Sequence, residues 1–377
     1  MKKWFFYLAA AACLASCIYR FDPELDNNPE KTVVVDGRIL IGGTSTIRLD
    51  YLTPLNSPRG GMPNGLAWIE DDLGNRYTAI ENAGSQFNIP TGNSPESSSV
   101  YQAQRFRAVA VVDGETYVSD WLTPDSEPQI LDIRFSADES TVVVSVDIDP
   151  GFSRSGYLGF LFEETWEFHS DVYPEYEVNP NTWSYSMLQN GYPYYWCWRS
   201  FNPVQVTLMD YTNLSEGVIR DLPVKYFLRS DTRNHRRYSI LVKAFALSKE
   251  AFDYNKRTQE ISDIGGDLFT PDPGAITGNL VCETHPDLQV MGMVLAGKVT
   301  SKRAWLNSRF LISRPAYVDY VHLTRDEMPQ YYYNNNYRPV NYVTIDGTTD
   351  MGWTHHRCIN CIEAGGTQEK PSFWEEE

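Results

Sequence analysis

The chain is poor in the residues that most often announce chemistry. It has six histidines and six cysteines in 377 residues, and no His-Glu-x-x-His pair of the metalloprotease kind. There is no Gly-x-Ser-x-Gly elbow and no phosphate-cradling loop. Positive charge is scarce as well: 32 Lys and Arg face 49 Asp and Glu, a formal net charge of −17. A basic face for phosphate is missing, so nucleic acid is not an expected partner. The same deficit argues against docking on anionic lipid by charge. After the first few residues no apolar run reaches the ~18 positions that a membrane helix requires.

What stands at the start is more telling. Met1-Lys2-Lys3 is a short basic opening, and Trp4 to Ala12 is an apolar run too short to span a bilayer. Leu14-Ala15-Ser16-Cys17 follows. Basic, apolar and small residues in that order read as a secretory leader over residues 1–16. A cysteine directly after Leu-Ala-Ser resembles the bacterial lipobox, in which the sulfur takes a diacylglycerol and heads the mature chain. The plain alternative is an ordinary leader with a chance cysteine. Cys17 is thus the expected lipidation site, and several acyl chains, at about 0.8 kcal/mol per buried methylene, anchor stably. Loss of Lys2 and Lys3 takes the formal charge from −17 to −19. Residues 17–31 are polar, carry Pro23 and Pro29, and read as a flexible tether. No Asp follows Cys17 directly, which fits delivery to the outer membrane.

Cys197, Cys282, Cys358 and Cys361 remain once the leader and the anchor are set aside. Four cysteines in an oxidising compartment suggest up to two disulfides, with three possible connectivities. His355-His356-Arg357-Cys358-Ile359-Asn360-Cys361 offers a rival metal site. A structural zinc site would usually show a second close pair, so no metal and no cofactor is expected.

From Thr32 onward short β-branched and alternating runs dominate. Asp71-Asp72-Leu73-Gly74-Asn75 and Asp113-Gly114 mark hairpin turns. The spacing predicts a mostly β chain: an N-terminal antiparallel, immunoglobulin-like β-sandwich over 32–125, then a larger β-rich domain over 126–345 with one or two helices. A Cys-containing C-terminal segment is expected over 346–377. Strands are expected at Thr141 to Asp149, Tyr157 to Phe168, Tyr238 to Ala246 and Arg309 to Arg314, among others. One helix is convincing, Ser248 to Ile261, with Ser248 as N-cap.

Few residues suggest catalysis. Asp147-Ile148-Asp149-Pro150-Gly151 glances at a calcium loop but lacks its third acid and has Leu158 at the twelfth position. Glu163, Glu164 and Glu167 with Trp166 could suit a glycosidase, yet neighbouring residues of a strand face opposite sides. Aromatic density is the stronger hint. Tyr157 to Phe201 holds fifteen aromatics in forty-five residues, against 14% for the whole chain. Tyr192-Pro193-Tyr194-Tyr195-Trp196-Cys197-Trp198 is the peak, and Tyr331-Tyr332-Tyr333 forms a second cluster in a loop-like setting. Such a run cannot bury every ring. Tyr192, Tyr194, Tyr195, Trp196, Trp198, Tyr331, Tyr332 and Tyr333 are candidates for a binding surface; core and loop packing is the competing reading.

Several segments in order carry a family resemblance. They include Thr32-Val33-Val34-Val35-Asp36-Gly37-Arg38-Ile39, Ile69-Glu70-Asp71-Asp72-Leu73-Gly74, Glu164-Thr165-Trp166-Glu167-Phe168 and Cys197-Trp198. Leu247-Ser248-Lys249-Glu250-Ala251-Phe252, Gly278-Asn279-Leu280, Arg357-Cys358-Ile359-Asn360-Cys361 and the tail Lys370-Pro371-Ser372-Phe373-Trp374 complete them. Together with the lipobox they resemble the Bacteroidota lipoproteins of domain of unknown function 4249. The resemblance implies a lipid-anchored outer-membrane protein at the cell surface, accessory to a TonB-dependent transporter of the SusC type. It supplies no catalytic residues. The leading expectation is therefore a non-enzymatic binding protein whose ligand would be a glycan, a peptide or a metal complex. A surface glycan-binding protein or glycosidase, and a structural envelope protein, are the alternatives.

Overall fold

The computed structural model describes residues 32–52, 63–92, 99–151, 155–214, 217–264, 278–307 and 318–374. Cys17, the leader, the tether up to Lys31 and the strand expected at Arg309 to Arg314 lie outside the described residues. The fold is mostly β, as the patterning predicts. In chain order the first strands are β1 (Val33–Ile41), β2 (Gly43–Tyr51), β3 (Gly65–Asp71), β4 (Arg76–Thr78), β5 (Glu81–Ala83), β6 (Gln86–Thr91), β7 (Phe106–Val112) and β8 (Glu115–Ser119). There follow β9 (Gln129–Ala137), β10 (Thr141–Asp149), β11 (Tyr157–His169), β12 (Tyr176–Asn179), β13 (Ser184–Met187), β14 (Trp196–Phe201), β15 (Thr207–Asp210), β16 (Ile219–Leu228) and β17 (Arg237–Ala246). After helix α1 (Lys249–Ile264) come β18 (Leu280–Cys282), β19 (Val290–Met291), β20 (Val294–Asn307) and β21 (Val321–His322). Helix α2 (Met328–Tyr333), β22 (Tyr337–Ile345) and β23 (Thr348–His355) complete the chain. No helix among the described residues is long and apolar enough to cross a membrane.

A ten-stranded sheet forms the spine. Its main path runs β14-β11-β17-β20-β1-β2-β6-β5, with β15 added on β11 and β19 on β1. A five-stranded sheet, β18-β8-β7-β3-β4, faces its N-terminal part. Val33, Val35 and Ile39 alternate inward on β1 and meet Ile69, Ala108 and Val112 of the facing sheet in one core. This region is two-layered, but it is not the antiparallel immunoglobulin-like sandwich expected. Leu295 to Lys298 of β20 pair in parallel with Arg38 to Ile41 of β1, and β18 pairs with β8. Strands from residues 280–307 therefore complete both sheets, and a division at residue 125 does not separate them. The local signals ran true while the long-range partners had none: parallel pairing needs a crossover, and no short turn announces it.

The hairpins show how the local signals work. Asp113 and Gly114 both have positive φ, 53° and 90°, as a two-residue hairpin turn of the primed type demands. Val112 and Glu115 are the closing pair. Asp346 and Gly347 repeat the device, φ 50° and 81°, closing Ile345 on Thr348. The boundary expected between 345 and 346 thus falls inside a hairpin, and 346–377 is not a segment apart.

Two more layers pack on the spine. The three-stranded sheet β16-β10-β9 covers β11 and β17, burying Val142, Val144, Val146, Phe160, Phe162 and Ile240. Helix α1 begins where Ser248 Oγ accepts the Ala251 N–H at 3.2 Å, so the predicted cap forms. Its Phe252 stacks on Tyr157 with ring centroids 4.3 Å apart. The last unit is a small module made of β12-β13, β21-β23-β22 and α2. Two stretches far apart in sequence build it, and Trp353 lies fully buried at its centre.

Candidate binding surface

Strand alternation sorts the aromatic peak. On β14, Trp196, Cys197 and Trp198 pair with His169, Phe168 and Glu167 of β11. Cys197 points into the core, and the flanking tryptophans point to the other face, half-buried. Pro193 interrupts the run before the strand, leaving Tyr192 and Tyr195 half-buried and Tyr194 exposed at 40%. Tyr195 stacks on His169, centroids 5.0 Å apart, and His169 stacks on His235 at 4.3 Å. Tyr173, 41% exposed, meets Tyr195 edge-on at 5.0 Å. Burial, and then the neighbouring His169, pulls the His235 pKa down to about 4. A neutral ring follows at neutral pH.

The second cluster is helical, not a loop. Three consecutive tyrosines on α2 splay by about 100° each, so they cannot share one environment. Tyr331 packs edge-on against Tyr337 at 5.2 Å. Tyr332 meets Trp183 at 5.9 Å, with the Arg338 guanidinium 3.9 Å over its ring. Tyr333 is left 64% exposed. Trp183 sits at φ 55°, an unusual backbone for a bulky residue, while its ring meets both Tyr332 and Tyr333.

The structure ties the first cluster to the module through Tyr192, which packs beside Val340 of β22, while Trp196 and Trp198 stay on spine strand β14. The Tyr192 hydroxyl lies 3.3 Å from His356 Nε2, and His356 Nδ1 lies 2.6 Å from Glu363 Oε1. Burial pushes the Tyr192 phenol up to about 12. The backbone N–H of Val172 donates to Cys358 O, and that of Glu175 to Val340 O. Sequence reasoning singled out the tyrosines but missed Tyr173, His169, His235, Trp183 and Arg338. No local pattern marks the first four, whose ring partners lie more than twenty residues away; Arg338 lies only six residues from Tyr332, beyond the end of α2. His356 was noticed only as half of a doublet suited to metal.

One disulfide forms, between Cys197 and Cys361, 164 residues apart. That fits the expectation of up to two, while the other two candidates do not pair: Cys282 is buried and free, and Cys358 is half-buried and free. Cys282 sits on β18 beside β8 in the N-terminal core, whereas Cys358 ends a 3-10 turn, His356–Cys358, that follows β23. Among the described residues no group of three or more His, Cys, Asp or Glu could hold a metal ion. His355 Nδ1 instead accepts the Arg357 N–H at 3.2 Å.

The carboxylates considered for a glycosidase are spent on ion pairs. Glu164 is fully buried, with Lys225 Nζ 2.9 Å from Oε1 and Arg233 Nε 2.8 Å from Oε2. The Tyr238 hydroxyl donates to the same Oε2 at 2.9 Å. Glu167 faces the opposite side of β11 and binds Arg236 at 2.6 Å; burial raises its pKa despite that partner. Glu163 pairs with Lys243. The three do not converge on one space, which acid–base work on a glycosidic bond requires.

The family comparison covers residues 18–303 with the sequence model of the domain of unknown function DUF4249, well over half of the chain. The chain belongs to the DUF4249 family. The match ends within β20, so the DUF4249 span holds the spine and the Tyr192–Trp198 peak, while α2, β21 to β23 and Cys361 follow it. Among curated proteins nothing matches. Trypsin-activated alpha-2-macroglobulin from Escherichia coli is similar at a TM-score of 0.20 and 9% identity, over 58% of this chain and 15% of that one. The DUF4249 chain thus spans a small part of that protein's length, and a likeness at this level fixes neither topology nor role.

Proposed function

We propose that this DUF4249 protein is a non-enzymatic surface lipoprotein of the outer membrane, anchored through Cys17 and accessory to a TonB-dependent transporter of the SusC type. The observation that carries the reading is the aromatic module. Tyr173, Tyr194, Tyr333 and Tyr342 stand 41%, 40%, 64% and 55% exposed beside packed rings such as Trp353 and Tyr195. Exposed tyrosines on a rigid base make protein-recognition anchors at low entropic cost. The lipobox supports the anchor, and the acidic charge of the chain leaves the acyl chains to hold the membrane. The ion-paired state of Glu163, Glu164 and Glu167 favours binding over hydrolysis. A glycan is the second ligand class, since flat exposed rings also stack on sugars.

The test is co-purification from mildly solubilised membranes. The tagged protein is expected to bring down a TonB-dependent barrel, and a Tyr173→Ala, Tyr194→Ala, Tyr333→Ala triple variant is expected to lose it. A clean monomer in every gentle extract would sink the transporter role. Mass spectrometry of the processed N-terminus tests the anchor separately, with an unmodified Cys17 as the adverse result.

A further inference from the structure

A second site lies away from the aromatic module. A cleft of about 340 Å³ opens between the outer face of β1 and β2 and helix α1. Its size suits a small molecule. Asp36 and Arg38 stand two positions apart on β1, so both side chains leave the same face of the sheet. Across the strand pair, Asp36 sits opposite Arg48 and Arg38 opposite Thr46. Arg48 has a partner, Asp50 at 3.0 Å. Arg38 has none: its guanidinium makes no hydrogen bond or ion pair with a described residue, although it lines the cleft. Asp36 likewise forms no ion pair there and meets a backbone hydrogen bond from Met293.

Desolvation is the largest influence on both groups, lowering the Arg38 pKa and raising that of Asp36. Arg38 is half-buried and Asp36 exposed at the mouth of the cleft; the two attract each other, and Arg48 attracts Asp36, but neither makes a direct ion pair, so each keeps a face for a charge of opposite sign. Tyr254 of α1 overlooks them, its phenol pushed up to about 12 by burial and then by Asp36, so it stays a neutral donor. Val206, Met293 and Leu295 add an apolar wall to the same cleft. One end of an occupant must be anionic, the next atoms cationic, and the remainder tolerant of apolar contact.

We propose that the β1–β2–α1 cleft binds a small zwitterion of the α-amino-acid class, with its carboxylate on Arg38 and its ammonium on Asp36. A bidentate guanidinium–carboxylate pair supplies the orientation. The Arg38–Asp36 spacing along one strand face, about 7 Å, leaves room for the short carboxylate-to-ammonium span between them. The apolar wall takes the side chain. The site shares no residue with the aromatic surface, so it stands or falls independently of the transporter reading.

Isothermal titration calorimetry on the whole chain decides it, with glycine, leucine, glutamate and lysine in turn, then 4-methylpentanoate and isoamylamine. The last two are leucine without its amine and without its carboxylate. At least one amino acid is expected to bind, and for leucine each truncated analogue is expected to bind at least tenfold more weakly. Arg38→Ala is expected to weaken amino-acid binding at least tenfold. Asp36→Asn is expected to weaken the amino acid and leave 4-methylpentanoate unchanged. Binding of none of the four amino acids would overturn the site, as would undiminished binding to a folded Arg38→Ala chain. Equal binding of 4-methylpentanoate and leucine would reduce it to a plain anion site and overturn the zwitterion assignment. The analogue comparison uses the unaltered protein, so it holds even if a variant fails to fold.

Discussion

The spine and the aromatic module are built on different physics. The N-terminal core of the spine is aliphatic, with Val33, Val35, Ile39, Ile47, Leu49 and Ile69 packed between long, fully hydrogen-bonded strands. The module has a small core of Trp353, Met328, Met351, Leu323 and Val178, ringed by tyrosines that keep one edge in water. A core that small stabilises little by itself, and small units recruit staples. Here the staple is Cys197–Cys361, which fastens the run after the module to the spine strand β14. The difference teaches that rigidity in the spine comes from area buried. In the module it comes from a covalent tie and ring-on-ring contacts, and that leaves rings free to meet a partner.

The comparison can be broken hardest in the spine. Arg233→Ala leaves Glu164 buried with Lys225 as its one remaining cation, and removing one partner of such a set costs about 3–5 kcal/mol. Urea unfolding should show the whole chain weakened; a loss below about 1 kcal/mol would mean that water reaches Glu164. Next, the Cys197→Ala, Cys361→Ala double variant should lose about 2–4 kcal/mol, read at the module. Hydrogen exchange should quicken at Tyr185 and Trp353 and stay slow on β1; uniform loosening would mean that the two regions unfold as one.

Acid sharpens the contrast further. The His235 pKa is lowered from 6.5 to about 4, so the folded chain holds the neutral ring and binds the proton more weakly than the unfolded chain. Its contribution is complete above pH 6.5 and is lost as pH falls toward 4, roughly 2–3 kcal/mol in all. Thermal melts across that window should show the drop, and His235→Asn should flatten it. The smallest effect belongs to the surface: Tyr333→Ala should change stability by less than about 0.5 kcal/mol while weakening partner capture by 2 kcal/mol or more if it is an anchor.

Much of the spine was legible. Period-two alternation located β10, β11 and β17 nearly to the residue, and Asp113-Gly114 declared its hairpin. Asp346-Gly347 holds the same dipeptide signal, but it coincides with the boundary expected after residue 345, and the polar run Thr348-Thr349-Asp350 that follows it does not alternate like a strand. The parallel β1–β20 pair carried no mark at all. At the candidate surface, composition located the tyrosines but not which would be buried. That sorting depends on which rings α2 and β14 turn toward Trp183, Tyr337 and His169, and those contacts join residues from opposite ends of the chain. The cysteine count was readable and the pairing was not, since it is fixed by Cys361 N–H meeting Tyr194 O at 2.9 Å beside β14.

The parallel pairing of β1 with β20 also sets a clock. Residues 33–41 are among the first of the described chain to leave a ribosome, and their neighbours at 294–298 emerge more than 250 residues later. At about 5–20 residues per second that is a wait of roughly 13–50 seconds. Throughout it, β1 and its hairpin mate present a bare hydrogen-bonding edge rich in valine and isoleucine, the kind of edge that recruits other chains. A nascent chain of this protein therefore has reason to be escorted until its C-terminal third arrives to close the sheet.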